Sequence, residues 1–331
     1  VTLSPRPDLS PRAEDAIDAA LRLLADHEPV YRGGLSDHGP MAVDALARLG
    51  GAWEVSAWAC RYAERLEPAR PETRERRAVL LDRVQRQGWK GVVGDVVPLL
   101  LPGMGAGAFH CAIRVAHAVR LLSARDAPER RVELAAALAY WIDARLPLGP
   151  PPRVDGDHDP RAVLATLPPP PPAEGRWLIG DRARHAAAAP GFAAHVDGVE
   201  LPDEPVAALR ALAGLGRDLL LAQPHAPIVY VHLITGPQAV AALVPLLDRT
   251  AAQEAVACTW QALAAIHAAY HEPGGDPGDE GHRDWASVVR AAVDSGDEHA
   301  IKGALACLEG DHHESDPRWR RAASRLARIA G

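Results

Sequence analysis

The strongest constraint in this chain is a periodicity. Apolar residues recur three and four positions apart along almost all of its 331 residues, the spacing that gathers them on one face of a helix. The pattern predicts helices over residues 13–24, 41–49, 53–66, 71–87, 105–123, 128–145, 205–221, 237–247, 251–271, 284–293, 298–308 and 317–330. Residues 228–235 form a β-branched, aromatic-containing run that fits a strand and a short buried helix equally. Strands and helices do not alternate and no GxGxxG follows a strand, which argues against a dinucleotide-binding α/β fold. No repeat at TPR, HEAT or armadillo spacing is present. The expected fold is therefore mainly α: a single large all-helical domain over residues 1–331. Its main interruption is the proline-rich segment 147–175, with Pro150–Pro152 and Pro168–Pro172, which reads as a domain linker or as a long loop around one helical body. A second, Gly/Asp-rich break covers 272–281.

Composition narrows the functional classes. The net charge is −7, so no global field attracts nucleic acid or an acidic membrane. No uninterrupted apolar run reaches bilayer-spanning length and the first residues lack a signal-peptide core, which favours a cytoplasmic protein. The cysteines Cys60, Cys111, Cys258 and Cys307 are far apart, lack a CxxC spacing and sit in apolar helical patterns. They read as reduced core residues rather than a disulfide framework or a zinc finger.

Only two of the 36 basic residues are lysine, Lys90 and Lys302. In so arginine-rich a background each lysine raises the question of what arginine cannot do there: shed a proton and act as a nucleophilic amine. Lys90, in Gly88-Trp89-Lys90-Gly91, reads as a turn residue. Lys302 lies three residues after His299, on the same helical face. A lysine paired at the surface with Glu298 or Glu309 and a lysine beside a histidine in a cavity are equally compatible with that spacing.

Most of the 15 histidines have unremarkable readings. His158, His312 and His313 lie in acidic segments, His185 and His195 in an alanine-rich stretch, and His27 and His271 at helix ends. His267 suits a satisfied core position. Four others are harder to dismiss: His38 at the start of an apolar helix, His110, His232 in a run too apolar for a surface, and His299. His110, Arg114 and His117 share one helical stripe, either a solvated face or the wall of a polar cavity. HExxH and GxSxG are absent, and the His282-Arg283-Asp284 pair reads as a loop coincidence.

The blocks Asp37-His38-Gly39-Pro40-Met41, Phe109-His110-x-x-Ile113-Arg114, Tyr230-Val231-His232-Leu233-Ile234-Thr235, Cys258-Thr259-Trp260-Gln261 and Asp297-Glu298-His299-Ala300-Ile301-Lys302 occur in this order. The ordered set is similar to the questin oxidase-like family, over roughly residues 30–309. The resemblance implies a non-haem iron oxygenase that opens anthraquinone-type rings by Baeyer–Villiger-like oxidation or dioxygenation. It implies an iron centre with His38, His110, His232 and His299 as ligands and Lys302, as a carboxylated lysine, the fifth. Fe(II) suits this set, although Zn, Ni or Cu also bind imidazole-rich sites. Dioxygen is then the co-substrate, and an aromatic polyketide-like small molecule the partner. Arg114 and His117 are placed to orient substrate oxygens or to hydrogen-bond the ligands. Trp260 is a candidate stacking surface, with core packing its commoner fate. Some family descriptions include NADPH, for which the sequence shows no site. The chain is shorter than the fungal members, and the family varies at Arg114 and His117, so the ligand set transfers more directly than the substrate. Two other classes fit the same residues: a metal-dependent hydrolase on the same centre, and a non-catalytic α-helical binding protein with buried polar histidines.

Overall fold

The computed structural model describes residues 9–172, 177–272 and 283–328. The fold is mainly α, as the periodicity predicts. Among the described residues the sheet content is one two-stranded antiparallel hairpin, Val30–Tyr31 with Leu35–Ser36. Contacts divide the chain into two compact units. The first comprises Val1–Val92, Ile113–Tyr140 and Asp279–Gly331, and the second Val93–Ala112 and Trp141–Gly278. The proline-rich segment lies inside the second unit and joins no two bodies. Its described residues, 147–172, are irregular apart from one short helix, Pro160–Ala165. His282 lies outside the described residues.

In the first unit the helix Pro11–Leu24 starts where Ser10 accepts the Ala13 N–H and Pro11 takes a position whose N–H would lack a helical partner. It buries Ile17, Leu21 and Leu24 against Leu46, Trp58, Tyr62, Leu121, Ile301 and Leu305. Each such large side chain contributes about 1.5–3 kcal/mol on burial. The predicted 41–49 and 53–66 helices appear as Gly39–Leu46 and Val55–Ala63. A wide turn over Ala47–Gly51 joins them, and Gly50 takes the left-handed conformation there. The helix Glu298–Glu314 packs against Gly39–Leu46, Trp285–Ser295 and Pro317–Leu326.

In the second unit the run 228–235 is helical, in Pro227–Tyr230 and His232–Leu243. Packing overrides its β-branched composition: His232–Leu243 lies along Pro205–Ala222, so close that a Cβ on Gly216 would collide with the Leu233 carbonyl. The continuous stretch Pro227–Leu246 has a mean hydropathy of 1.5 over its most apolar window, long and apolar enough to cross a bilayer, contrary to the sequence expectation. Two thirds of that window (67%) is buried within the protein, as in a core helix.

Three smaller expectations need correction. Cys60 is exposed, whereas Cys111, Cys258 and Cys307 are buried. Lys90 lies in the first turn of the helix Trp89–Leu100, its ammonium 5.4 Å from the Trp89 ring centre, because Gly88 rather than Gly91 ends the preceding helix. The helix predicted from residue 105 begins only at His110, since Gly107, Ala108 and Phe109 all have positive φ.

Candidate metal centre

In the first unit His38 occupies the position just before the helix Gly39–Leu46. Its backbone N–H donates to the Tyr62 hydroxyl at 2.8 Å. Its ring lies 4.7 Å from that of His299, centre to centre, and the two rings offer nitrogens within 4.8 Å of each other. His299 is held by the start of its helix, where the Asp297 carboxylate accepts the N–H groups of His299 and Ala300, both at 2.9 Å. Burial and the nearby Lys302 push His299 down to about 3, so its imidazole is neutral at physiological pH and able to ligate.

Lys302 follows one turn later on the same helix. The surface pairing is not what forms: the side chain is 3% exposed and Nζ has no hydrogen-bond partner among the described residues. Burial pushes the amine down to about 7, against the opposing pull of Glu298, Asp297 and Asp37. A buried amine without a partner is costly, and its half-neutral state near pH 7 makes it nucleophilic.

Arg114 and His117 are buried too, so the solvated-face reading of the stripe is not what forms. The Arg114 fork is taken by Glu133, Nε to Oε1 at 2.6 Å and Nη2 to Oε2 at 2.9 Å, and Nη1 approaches Asp37 Oδ2 at 3.3 Å. Burial disfavours this guanidinium, yet Glu133 and Asp37 hold it charged beyond its ordinary range. For Asp37, burial outweighs Arg114 and the Gly39 N–H and raises the carboxyl. His117 Nδ1 lies 2.7 Å from Asp44 Oδ2. Burial lowers His117 overall, although the Asp44 bond works the other way. Asp44 itself is fully buried; against that cost, Arg48, Arg120 and His117 hold it well below the usual carboxylate range. Asp37, Asp44, Glu133 and Tyr62 were not singled out in the sequence. The one available signal was Asp44, a carboxylate in an otherwise apolar helix, four residues before Arg48.

In the second unit His110 and His232 form the other pair. The left-handed run Gly107–Phe109 curls the chain so that the Gly107 carbonyl meets His110 Nδ1. His232 Nδ1 lies 3.3 Å from the Val229 carbonyl. A carbonyl only accepts, so a proton on Nδ1 of each ring satisfies both contacts and leaves a lone pair at each Nε2. Those two Nε2 atoms face each other at 2.9 Å, with the rings 69° apart. Two lone pairs at that distance repel unless a proton or a cation lies between them. The separation equals that of two nitrogens at right angles on one cation with bonds of about 2.1 Å. Tethering of the remote ring nitrogen to a carbonyl is also how ligating histidines are commonly oriented. The pair therefore fits a transition metal.

Two further residues fall outside these clusters. Trp260 is fully buried and donates its indole N–H to the Val196 carbonyl at 2.9 Å, which makes it a core residue. His267 bonds the Tyr230 hydroxyl at 3.1 Å, and burial with His271 nearby pushes it down to about 4, as a satisfied core histidine requires. No protein-family model, curated protein or solved structure matches the chain.

Proposed function

We propose that this protein is a metal-dependent oxygenase of the questin oxidase-like kind, in which His110 and His232 together with His38 and His299 hold one transition-metal ion. Lys302, carboxylated on its amine, supplies an oxygen donor to the same ion. The observation that carries this reading is the two Nε2 atoms of His110 and His232 facing each other at 2.9 Å in a buried setting. The buried Lys302 Nζ, without a hydrogen-bond partner among the described residues, supports it. His38, His110, His232, His299 and a carboxylated Lys302 would hold iron(II), which would supply dioxygen activation against an electron-rich aromatic ring.

The chain's own residues have definite tasks in this scheme. The Lys302 amine lone pair forms a C–N bond to carbon dioxide; one proton leaves the nitrogen and the product is an anionic carbamate. Arginine cannot do this. His299 stays neutral across the physiological range, and the backbone carbonyls of Gly107 and Val229 fix the tautomers of His110 and His232. His38, His110 and His232 are buried and His299 is half-buried, which limits water at their nitrogens and strengthens each electrostatic contact. The substrate class, a flat polycyclic phenol or quinone of polyketide type, follows from the family resemblance.

Protein purified anaerobically and loaded with iron(II) is to be mixed with hydroxylated anthraquinones and their reduced forms, with oxygen uptake and ring-opened products recorded. Uptake coupled to ring opening supports the proposal. Metal-dependent hydrolysis without oxygen uptake assigns the centre to a hydrolase, and absence of any bound metal assigns the histidines to structure.

A further inference from the structure

His38 differs from the other candidate ligands in lying outside regular structure, one residue before its helix begins. Its carbonyl opens the helical ladder by accepting the Ala42 N–H at 2.9 Å, and the Asp37 N–H donates to the Pro29 carbonyl at 2.9 Å. Four buried side-chain contacts add to these backbone bonds over the Ser36–Gly39 segment. The Ser36 hydroxyl lies 2.7 Å from the Tyr140 hydroxyl. The Asp37 carboxylate reaches past His38 to accept the Gly39 N–H at 2.8 Å. The His38 N–H is taken by Tyr62. The other oxygen of Asp37 faces Nη1 of Arg114 at 3.3 Å.

Arg114 in turn has no freedom. Glu133 grips Nε and Nη2 with both oxygens, which sets the guanidinium plane and leaves Nη1 beside Asp37 in an ion-pair contact at 3.3 Å rather than a hydrogen bond. Seven residues after Asp37, the other end of the short helix is tied to the same neighbour, since Asp44 meets His117 and Arg120. Arg114, His117 and Arg120, three apart, thus engage the acidic groups on either side of the His38 turn.

We propose that Arg114 is a positioning residue for His38, acting through Asp37 and oriented by Glu133, rather than a group that meets substrate. The proposal rests on the metal reading above. Metal ligands tolerate displacements of only about 0.5 Å, and a turn residue meets that limit only if its flanking carboxylate is itself anchored. A lysine at 114 carries the charge on one nitrogen and cannot grip Glu133 and reach Asp37 at once.

The test is the affinity of metal-free protein for Co(II), measured by chelator competition, with the visible Co(II) spectrum reporting ligand geometry. Three variants are compared with wild type: Arg114→Lys, Glu133→Gln and Arg130→Lys. Arg130 is an equally buried arginine, paired with Glu14 and Asp18, and serves as the control for loss of a buried fork. Arg114→Lys is expected to weaken Co(II) binding by about 10- to 100-fold with an altered spectrum. Arg130→Lys is expected to lower the melting temperature without changing affinity. Unchanged affinity and spectrum in Arg114→Lys overturn the proposal. If Arg114→Lys does not fold, Glu133→Gln decides, because it keeps the arginine and loosens the grip that sets its guanidinium plane; unchanged affinity there overturns it equally. Failure of wild type to bind Co(II) stoichiometrically counts instead against the metal reading.

Discussion

Replacing Lys302 with methionine keeps an unbranched side chain of similar length and removes the ionisable group. In metal-free, carbon-dioxide-depleted protein the amine falls from 10.5 in the unfolded chain to about 7 in the folded one. At about 1.4 kcal/mol per pH unit, this places the cost of the buried ammonium on the order of 5 kcal/mol. The sign follows from proton binding. Between pH 7 and 10.5 the unfolded chain binds more protons than the folded one, so wild-type stability rises with pH through that window. Below pH 7 both states are protonated and the whole cost stands. Urea unfolding at pH 6, 8 and 10 measures this directly. Lys302→Met is expected to be several kcal/mol more stable than wild type at pH 6, with the advantage shrinking to near zero above pH 10. A variant that is less stable at pH 6, or an advantage independent of pH, refutes the reasoning. Carbamylation removes the same cost, because the nitrogen then carries no positive charge.

Other residues give sharp expectations. Gly236→Ala places a Cβ 2.5 Å from the Phe109 ring; it is expected to cost about 1–3 kcal/mol and to weaken metal binding by shifting the turn before His110, measured by thermal melting and metal titration. His299 titrates near 6.5 when unfolded and about 3 when folded. Stability of metal-free protein should therefore fall as pH drops from 6.5 towards 3, and His299→Phe should flatten that slope in acid unfolding curves. Trp260→Phe removes the indole donor to Val196, which predicts a loss of about 1 kcal/mol in urea unfolding with no change in substrate affinity.

The helical architecture was legible because a 3.6-residue period survives any detail of packing. His38, His110, His232, His299 and Lys302 stood out for a different reason: each is a polar group in an apolar stretch, which demands a partner or a task. Their partners were not legible. Asp37 and Arg114 are 77 positions apart, and Asp44 and His117 are 73, so only the folded chain brings them within 3.3 Å and 2.7 Å. The run 228–235 stayed ambiguous because its helical state is decided by close packing on Pro205–Ala222 rather than by its own propensity. The left-handed turn at 107–109 escaped notice because Ala108 and Phe109 rarely adopt positive φ.

The central claim, that the two histidine pairs and Lys302 serve one ion, is tested most directly by elemental analysis of anaerobically purified protein. Wild type is compared with His299→Ala, His232→Ala and Lys302→Ala, each checked for folding by circular dichroism. The account predicts about one iron per chain in wild type and loss of most of it in all three variants, because each removes one of the ion's proposed donors. Wild-type protein without a stoichiometric transition metal, or full retention in a folded His232→Ala or His299→Ala variant, would contradict it.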